Sequence, residues 1–318
     1  MGDKSKIEWT DATWNPIRGC SRVSEGCRNC YAESVAARLS NPGQAYEGLA
    51  TMTTSGPRWT GKVQMVPEHL EDPIRWKRPR RIFVNSMSDL FHPNVTITQM
   101  TDIFEVMAKA PQHVFQVLTK RPDLMMQYVN AEIGVGVAYR LGKQKEPGFW
   151  PLKNVWLGVS VEDQRTAEER IPLLLRTTAA KRFISAEPLL GPINLYNIFG
   201  GERSILSCES YCSNDGCGWP ACIGNELHWC IVGGESGHGA RPMHPQWARE
   251  LRDQCRESGI QFFFKQWGEF EPSHLLDTGI VAVHGKGIGH QAVMKRVGKK
   301  AAGRLLDGVE HNEMPAVA

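Results

Sequence analysis

The sequence predicts an α/β fold, a partial (β/α) barrel of six to seven parallel strands. Short β-branched runs recur along the chain with helical segments between them. These runs are apolar almost throughout rather than alternating, as expected for strands that are covered on both faces. Alternating strands and helices imply a parallel sheet with right-handed crossovers. The 318 residues, 41% of them hydrophobic and 22% charged, can form a substantial core.

Each element is predicted from its own stretch of sequence. The strands are RIFVNS (81–86), HVFQVLT (113–119), NVWLGVSV (154–161), RFISAE (182–187), HWCIVGG (228–234) and IQFFFKQ (260–266), with a further one at TWNPIRG (13–19). The helices are 30–39, 96–110, 161–177 and 244–259. The last helix ends at Gly259, a residue that suits a helix C-terminus.

Three segments interrupt this pattern. They are an irregular insertion at 41–72, a loop at 131–153 and a Cys-rich insertion at 200–227. After about residue 270 the β/α rhythm stops. We therefore predict a barrel over residues 1–270, including the Cys-rich metal-binding insertion, and a basic C-terminal extension over 271–318 that packs on the outside.

Composition and charge predict a cytoplasmic protein without a membrane segment. No apolar run approaches the length that crosses a bilayer, and the start MGDKSKIEWTD lacks the apolar segment of a signal peptide. The net charge of +3 is mild, but RWKRPRR (75–81) and KRVGKKAAGR (295–304) are locally basic. Each run alone is typical of a solvated face; together with Trp76 they permit a phosphate-bearing partner.

The stretch GCSRVSEGCRNCYAE (19–33) places Cys20, Cys27 and Cys30 at a C-x6-C-x2-C spacing. Under reducing conditions, clustered thiols indicate metal or redox chemistry rather than disulfides. A structural zinc ion normally takes four ligands, so zinc here would need a distant fourth one. An iron–sulfur cluster is held by Cys thiolates, and three of them would leave one iron open for a small molecule. Spacing alone leaves both alternatives open.

A second group of cysteines lies in the insertion, at Cys208, Cys212, Cys217 and Cys222. Turn-forming Gly, Asn, Asp and Pro residues separate them, which favours a segment folded by metal over one built around buried thiols. Zinc and a second iron–sulfur cluster fit the spacing equally, and free thiols in a loop are the alternative. Cys230 and Cys255 lie in a predicted strand and helix and are expected in the core.

Polar residues cluster where the predicted strands end, at the rim where a β/α barrel builds its active site. They are Ser86, Ser88, Asp89, Lys120, Arg121, Ser160, Glu162, Asp163, Glu187 and Glu235. Lys120 and Arg121 either meet a carboxylate or phosphate of a ligand, or form ion pairs with Glu162 or Asp163. The string GGESG (233–237) either contacts a ligand or is a tight turn whose glycines allow positive φ.

The cysteine stretch, as GC…GC-x-x-CYA, resembles the radical S-adenosylmethionine (SAM) superfamily, in particular its spore-photoproduct-lyase-like branch. The usual spacing there is C-x3-C-x2-C, and this chain has three more residues in the first interval. Longer strings look like a phage-associated radical-SAM-like family of unassigned function. They are IEWTDATWNPIRGCSRVSEGCRNCYAE, RIFVNSMSDLFH, FQVLTKRP, NVWLGVSVEDQ, SAEPLLGPI, WCIVGGESGHGARPMHPQW and FFFKQWGE.

The resemblance implies a 4Fe-4S cluster on Cys20, Cys27 and Cys30, with SAM at its open iron. In the superfamily a Gly-Gly-Glu string after the second strand contacts the methionine amine. Three residues, Ser86, Ser88 and Asp89, occupy that place here, and we expect Asp89 near the methionine end. The other cofactor-binding candidates are Ser160, Glu162, Gly233, Gly234 and Glu235, and the catalytic candidates are Tyr31, Lys120 and Glu187.

Two hypotheses about function follow. The first is a radical SAM enzyme that receives electrons from an external donor and abstracts hydrogen from a substrate. The cysteine loop and the basic runs favour a nucleic acid or nucleotide as that substrate, modified or repaired. The second is a non-enzymatic iron–sulfur or zinc protein that binds nucleic acid, with the salt sensitivity such binding shows, or senses redox state.

Overall fold

The computed structural model describes residues 5–198, 227–273, 280–284 and 291–316. The chain divides into two compact units. The first holds the described residues up to Val159 together with Thr177–Lys181; the second holds Ser160–Arg176 and the described residues from Arg182 to Ala316. None of the helices in these ranges has the length and apolar character that a membrane crossing requires.

The elements follow one another along the chain in short segments. The strands are β1 (Ala12–Trp14), β2 (Ile17–Arg18), β3 (Ala50–Thr53), β4 (Gly56–Trp59), β5 (Gln64–Met65), β6 (Arg81–Val84), β7 (Val114–Thr119), β8 (Val155–Ser160), β9 (Lys181–Ala186), β10 (Trp229–Gly233), β11 (Gln261–Gln266), β12 (Phe270–Pro272), β13 (Ile280–His284) and β14 (Gln291–Arg296). The helices are α1 (Tyr31–Arg38), α2 (Asp72–Arg75), α3 (Ile97–Lys109), α4 (Pro122–Tyr128), α5 (Gly134–Arg140), α6 (Gln164–Leu175), α7 (Pro245–Glu257) and α8 (Lys299–Ala302).

A seven-stranded sheet has the order β1-β6-β7-β8-β9-β10-β11, which is also the order along the chain. In the first unit β1, β6, β7 and β8 pair in parallel, and in the second β9, β10 and β11 do the same. Helices connect most of these strands, as parallel pairing requires. This is the arrangement of a partial (β/α) barrel, and it confirms the predicted fold class.

The composition of the strands explains their burial. Every residue of β8 is buried, and five of the six residues of β7 are. Strands without a solvent-facing side need helices on their faces, and α3 supplies buried Met100, Ile103 and Phe104. A capping box begins α3, since the Thr96 side chain accepts from the Gln99 backbone N–H and the Gln99 side chain accepts from Thr96.

The first predicted strand, 13–19, is two strands in the structure. The sheet strand β1 ends at Trp14, and β2 pairs antiparallel with β5 instead. Pro16 lies between them and has no N–H to donate to a neighbouring strand. The break turns the chain out of the sheet immediately before the first cysteine.

Two segments predicted as irregular contain regular structure. Residues 41–72 include the antiparallel hairpin β3–β4; Ala50 of β3 and the preceding Leu49 pack with buried Ala32 and Ala36 of α1. Residues 131–153 include α5, which the two glycines of GVGVAYR disfavour in sequence. The structure explains one of these glycines: a Cβ at Gly134 would lie 2.8 Å from the Trp150 ring.

The C-terminal segment folds onto β10 and β11 of the second unit. Strands β12, β14 and β13 form an antiparallel sheet, and the chain then returns. The Phe264 N–H donates to the His311 carbonyl at 3.0 Å, and the Trp229 indole N–H donates to the Glu313 carbonyl at 2.8 Å. The predicted Cys-rich insertion lies outside the described residues, apart from residue 227.

Candidate functional site

The first cysteine group lies in the first unit, between β2 and α1. Cys20 follows Gly19, Cys27 ends a short 3₁₀ turn (Glu25–Cys27), and Cys30 is the residue that caps α1. All three are half-buried free thiols. Gly19 has φ +92°, and a Cβ there would lie 2.2 Å from the Lys62 carbonyl oxygen. Glycine is therefore required before Cys20, because another side chain would push this loop off its neighbour.

The three thiols influence one another electrostatically. Burial raises the pKa of Cys20 to about 12, and the charges of Asp89, Cys27 and Cys30 also raise it. Burial likewise raises the pKa of the Cys30 thiol. Because only a thiolate binds metal, ligands with raised pKa values must lose a proton as metal binds.

A buried ion pair lies directly beside Cys20. Arg121 follows β7, and its Nη1 donates to Asp89 Oδ2 at 2.9 Å. Asp89 also accepts from the Thr119 hydroxyl at 2.7 Å, the Phe91 N–H at 3.0 Å and the Lys120 N–H at 3.2 Å. The carboxylate accepts from four donors, so Asp89 anchors Arg121 and the end of β7.

Arg121 connects this ion pair to the cysteine loop. Its Nη2 donates to the Ser21 carbonyl at 3.0 Å and to the Ser21 hydroxyl at 2.8 Å, and its Nη1 lies 4.0 Å from Cys20 Sγ. Of the two alternatives for Arg121, the structure shows an ion pair, but with Asp89. Glu162, the partner considered from sequence, pairs with Arg170 of α6 at 3.1 Å.

His92 is a neighbour of the cysteines that the sequence did not single out. It is 3% exposed; its Nε2 lies 2.9 Å from Ser21 Oγ, and its Nδ1 accepts from the Asn94 N–H at 3.1 Å. Burial and the charge of Arg121 lower its pKa, so the ring is neutral near neutral pH. Both ring nitrogens are engaged, which removes His92 as a ready fourth ligand for a metal.

The predicted cofactor residues after β6 form hydrogen bonds to the β1–β2 segment that leads into the cysteine loop. The Ser86 hydroxyl and the Asn15 amide are within 3.1–3.2 Å, and the Ser88 hydroxyl donates to the Ile17 carbonyl at 2.9 Å. Tyr31, the first residue of α1, donates its hydroxyl to the Ser86 carbonyl at 2.8 Å while 55% of the residue stays exposed. These residues lie together at one edge of the sheet.

Asn85 is a second residue that sequence reasoning missed. It follows β6 with φ +64°, is 3% exposed, and neither side-chain amide atom has a hydrogen-bond partner among the described residues. Asparagine tolerates this left-handed conformation better than most residues. The only sequence signal was its place at the end of a strand, beside Ser86.

The second unit carries its own polar group at the ends of β9, β10 and β11. Lys265 Nζ donates to both carboxylate oxygens of Glu187, at 2.7 and 2.9 Å. The Gln266 amide lies 3.4 Å from Glu187 Oε1 and donates to the Ser236 hydroxyl at 3.0 Å. Lys265 was not predicted, although two polar residues ending the apolar run FFFKQ were the available signal.

The remaining predicted residues make structural contacts within the second unit. The Glu235 carboxylate pairs with Arg241 at 2.7 Å. A Cβ at Gly234 would lie 1.9 Å from the Trp267 carbonyl oxygen, so this glycine allows two loops to approach closely. Ser160 and Glu162 are buried, and Arg170 bonds to both the Ser160 carbonyl and the Glu162 carboxylate.

The three thiols of the first cysteine group are a ligand type that both zinc and iron–sulfur clusters use. In the described part of the chain, no three or more His, Cys, Asp or Glu side chains are grouped to hold one metal ion. A single zinc ion needs its ligands at about 2.0–2.3 Å. Cys208, Cys212, Cys217 and Cys222 lie outside the described residues.

Comparison with known proteins identifies the family of the chain, and that family is described without an activity. A model of the family described as "Protein of unknown function (DUF5131)" matches residues 4–315. The chain belongs to DUF5131. No curated protein and no solved structure matches this DUF5131 chain. Any function for the DUF5131 chain has therefore to be argued from its own residues.

Proposed function

We propose that the protein is a radical SAM enzyme, in which Cys20, Cys27 and Cys30 hold a 4Fe-4S cluster whose open iron binds SAM. The observation that carries this proposal is the group of three half-buried free thiols at the carboxyl edge of a parallel sheet. When bound, such a cluster supplies the electron that splits SAM into methionine and a deoxyadenosyl radical.

In this proposal the surrounding residues have separate parts. Ser88 bonds to β2, which leads into the cysteine loop, and the Ser86 carbonyl accepts from Tyr31, which directly follows Cys30. Asp89 anchors Arg121. Lys120 lies at the same edge, where its ammonium suits a ligand carboxylate or phosphate. In the second unit, Glu187 and Lys265 form a separate charged pair, and Glu187 remains a candidate for catalysis there.

We further propose a nucleotide or nucleic acid as the substrate and an external protein as the electron donor. Of the two basic runs, the second offers less to a nucleotide or nucleic-acid substrate, because two of its arginines bond within the protein. In the second run Arg296 donates to the carbonyls of Gly237 and His238, and Arg304 to that of Lys265. Exposed Lys77 and Arg78 of the first run, together with exposed Lys300 of the second, are the candidate phosphate contacts.

Electron paramagnetic resonance of the anaerobically reconstituted, reduced protein tests the proposal, with and without SAM. We expect a reduced 4Fe-4S signal that changes when SAM is added. A cluster signal that SAM does not change would exclude the radical SAM enzyme and favour the non-enzymatic binding or sensing protein. A wild-type protein that assembles no cluster would exclude both the radical SAM enzyme and the iron–sulfur binding or sensing protein.

The Cys27→Ala variant provides the first prediction. Losing one of three ligands should abolish SAM cleavage, measured as deoxyadenosine formed. Cys255→Ala is the matched control, because Cys255 is buried in α7 of the other unit beside Cys230, and its removal should leave SAM cleavage intact. SAM cleavage that persists in Cys27→Ala would contradict the assignment of Cys27 as a cluster ligand.

A further inference from the structure

Arg121 lies between a carboxylate and a cysteine sulfur. Its side chain is 9% exposed. The guanidinium donates from Nη1 to Asp89, and the same Nη1 lies 4.0 Å from Cys20 Sγ. A positive charge with N–H groups is thus buried within reach of one of the three thiols, where the low dielectric strengthens its interactions.

Ser21 fixes the orientation of this contact. Arg121 donates to the Ser21 carbonyl and hydroxyl. Because His92 Nδ1 accepts from the Asn94 N–H, the proton of the neutral ring is on Nε2, which donates to the same hydroxyl. The Ser21 hydroxyl therefore accepts twice, and its own proton is left to donate elsewhere. The backbone after Cys20 is held from two sides.

The other two cysteines have different surroundings. Backbone N–H groups of Glu33 and Ala32, in the first turn of α1, interact with the Cys30 sulfur. Arg121 contributes its charge and an N–H to Cys20. The charge of Lys120 also acts on Cys30, but Cys20 is the thiol that a buried guanidinium N–H approaches.

Asp89 and Arg121 act in opposite directions at Cys20, because the carboxylate raises the pKa of the thiol and the guanidinium lowers it. The Asp89 carboxylate is stabilised by three further donors, from Thr119, Phe91 and Lys120. It therefore does not depend on Arg121 alone, and the guanidinium is left with N–H groups directed at the cysteine loop. Hydrogen bonds to ligand sulfurs and nearby charges are among the factors that set the potential of an iron–sulfur cluster.

We infer that Arg121 is a positioning residue that holds Cys20 for metal binding and raises the reduction potential of the cluster, an inference that rests on the proposed function. Reduction adds negative charge to the cluster, and a donor and a positive charge beside one ligand sulfur stabilise that state. Removing the charge should make the cluster harder to reduce. Removing the opposing carboxylate should make it easier to reduce.

The test compares the full-length chain with Arg121→Gln, Arg121→Lys and Asp89→Asn after anaerobic reconstitution. Iron per chain and the midpoint potential of the cluster are measured. Arg165→Gln is the control, since Arg165 is exposed on α6 and pairs with Glu169. In Arg121→Gln we expect the equilibrium for reduction to fall roughly tenfold, which is about 59 mV toward more negative potential for one electron.

The conservative variants separate charge from shape. Arg121→Lys should keep the iron and restore most of the potential, and Asp89→Asn should shift the potential the opposite way to Arg121→Gln. If Arg121→Gln folds poorly, Ser21→Ala replaces it and should give a smaller negative shift. Iron and potential equal to wild type in these variants overturn the inference and leave the proposed function standing. A wild-type chain without a cluster overturns both.

Discussion

Adjacent glycines at the end of β10 are needed for different physical reasons. A Cβ at Gly234 would lie 1.9 Å from a backbone oxygen of Trp267, whereas a Cβ at Gly233 would lie 3.2 Å from the Glu187 carboxyl carbon. Backbone cannot move aside easily, but a side chain can. In GGESG the positive φ occurs at Gly237 alone. The first two glycines therefore serve close packing rather than turn geometry.

Alanine at the two positions should have unequal effects. We expect Gly234→Ala to lower the free energy of unfolding by about 1–3 kcal/mol, the usual range for overpacking, and Gly233→Ala to lower it by less. Urea denaturation of both variants measures the difference. Equal losses would contradict the distinction between backbone and side-chain neighbours.

Asp307 provides a prediction about pH. Arg249 and Arg252 each approach its carboxylate to 2.7 Å, and hydrogen bonds, first that of Arg249 and then that of Arg252, lower its pKa. A carboxyl whose pKa is lower in the folded state stabilises the fold above its unfolded pKa. That contribution is lost as pH falls through the folded pKa.

The expected comparison is between wild type and Asp307→Asn. The difference in unfolding free energy should be full at pH 6 and shrink as pH falls below about 4, the ordinary range of an aspartate. The groups are partly exposed, so the difference should be small and weaken with salt. Denaturation midpoints from pH 2 to 7 measure it, and a difference that grows toward acid would have the wrong sign.

At the scale of elements, the start of α3 shows how local sequence determines structure. Thr96 Oγ1 accepts from the Gln99 N–H at 3.2 Å, and Gln99 Oε1 accepts from the Thr96 N–H at 2.9 Å. Both bonds are made between residues three apart, and the prediction of a helix from 96 came within one residue. A capping box can be recognised from the sequence alone, because both of its residues lie within one helical turn.

Thr96→Ala should destabilise the protein by about 1 kcal/mol, because it leaves a helix N–H without its side-chain acceptor. Thr96→Ser is the matched variant and should keep most of the stability, since its hydroxyl can make the same bond. Chemical denaturation of both measures the effect. A serine variant as unstable as the alanine variant would assign the loss to the methyl group instead.

Other elements depend on partners far along the chain, and the sequence did not reveal them. The helix α5 exists although Gly134 and Gly136 disfavour it, because buried Ile133 and Val137 pack there. Asp89 and Arg121 are separated by 32 positions, so their ion pair could not be distinguished from one with Glu162. Apolar runs predicted the parallel strands to within a few residues because their burial is a property of each run.

At the scale of the molecule, the sheet separates the first basic run from the cysteines. The run 75–81 leads into the amino end of β6, whereas Ser86 and Ser88 follow its carboxyl end beside the cysteine loop. A phosphate held by Lys77 or Arg78 therefore lies at the other end of this strand from Cys20. Under the proposed function, only a long nucleic acid, and not a single nucleotide, would reach both ends of this strand.

Lys77→Ala with Arg78→Ala should leave the SAM-dependent change in the cluster signal intact. It should weaken nucleic-acid binding and lower the slope of log affinity against log salt by about 2, one charge for each residue. Titrations at several salt concentrations measure this, with Lys143→Ala and Lys145→Ala as the control pair. A lost response to SAM would contradict the separation of the two regions.

The return of the chain onto β10 and β11 also affects biosynthesis. The bonds from Trp229 to Glu313 and from Phe264 to His311 join residues that leave the ribosome more than 40 positions apart. At about 5–20 residues per second, that interval lasts several seconds. The apolar surface of these strands is consequently uncovered during translation, which makes this stage the one at which a chaperone would protect the nascent chain.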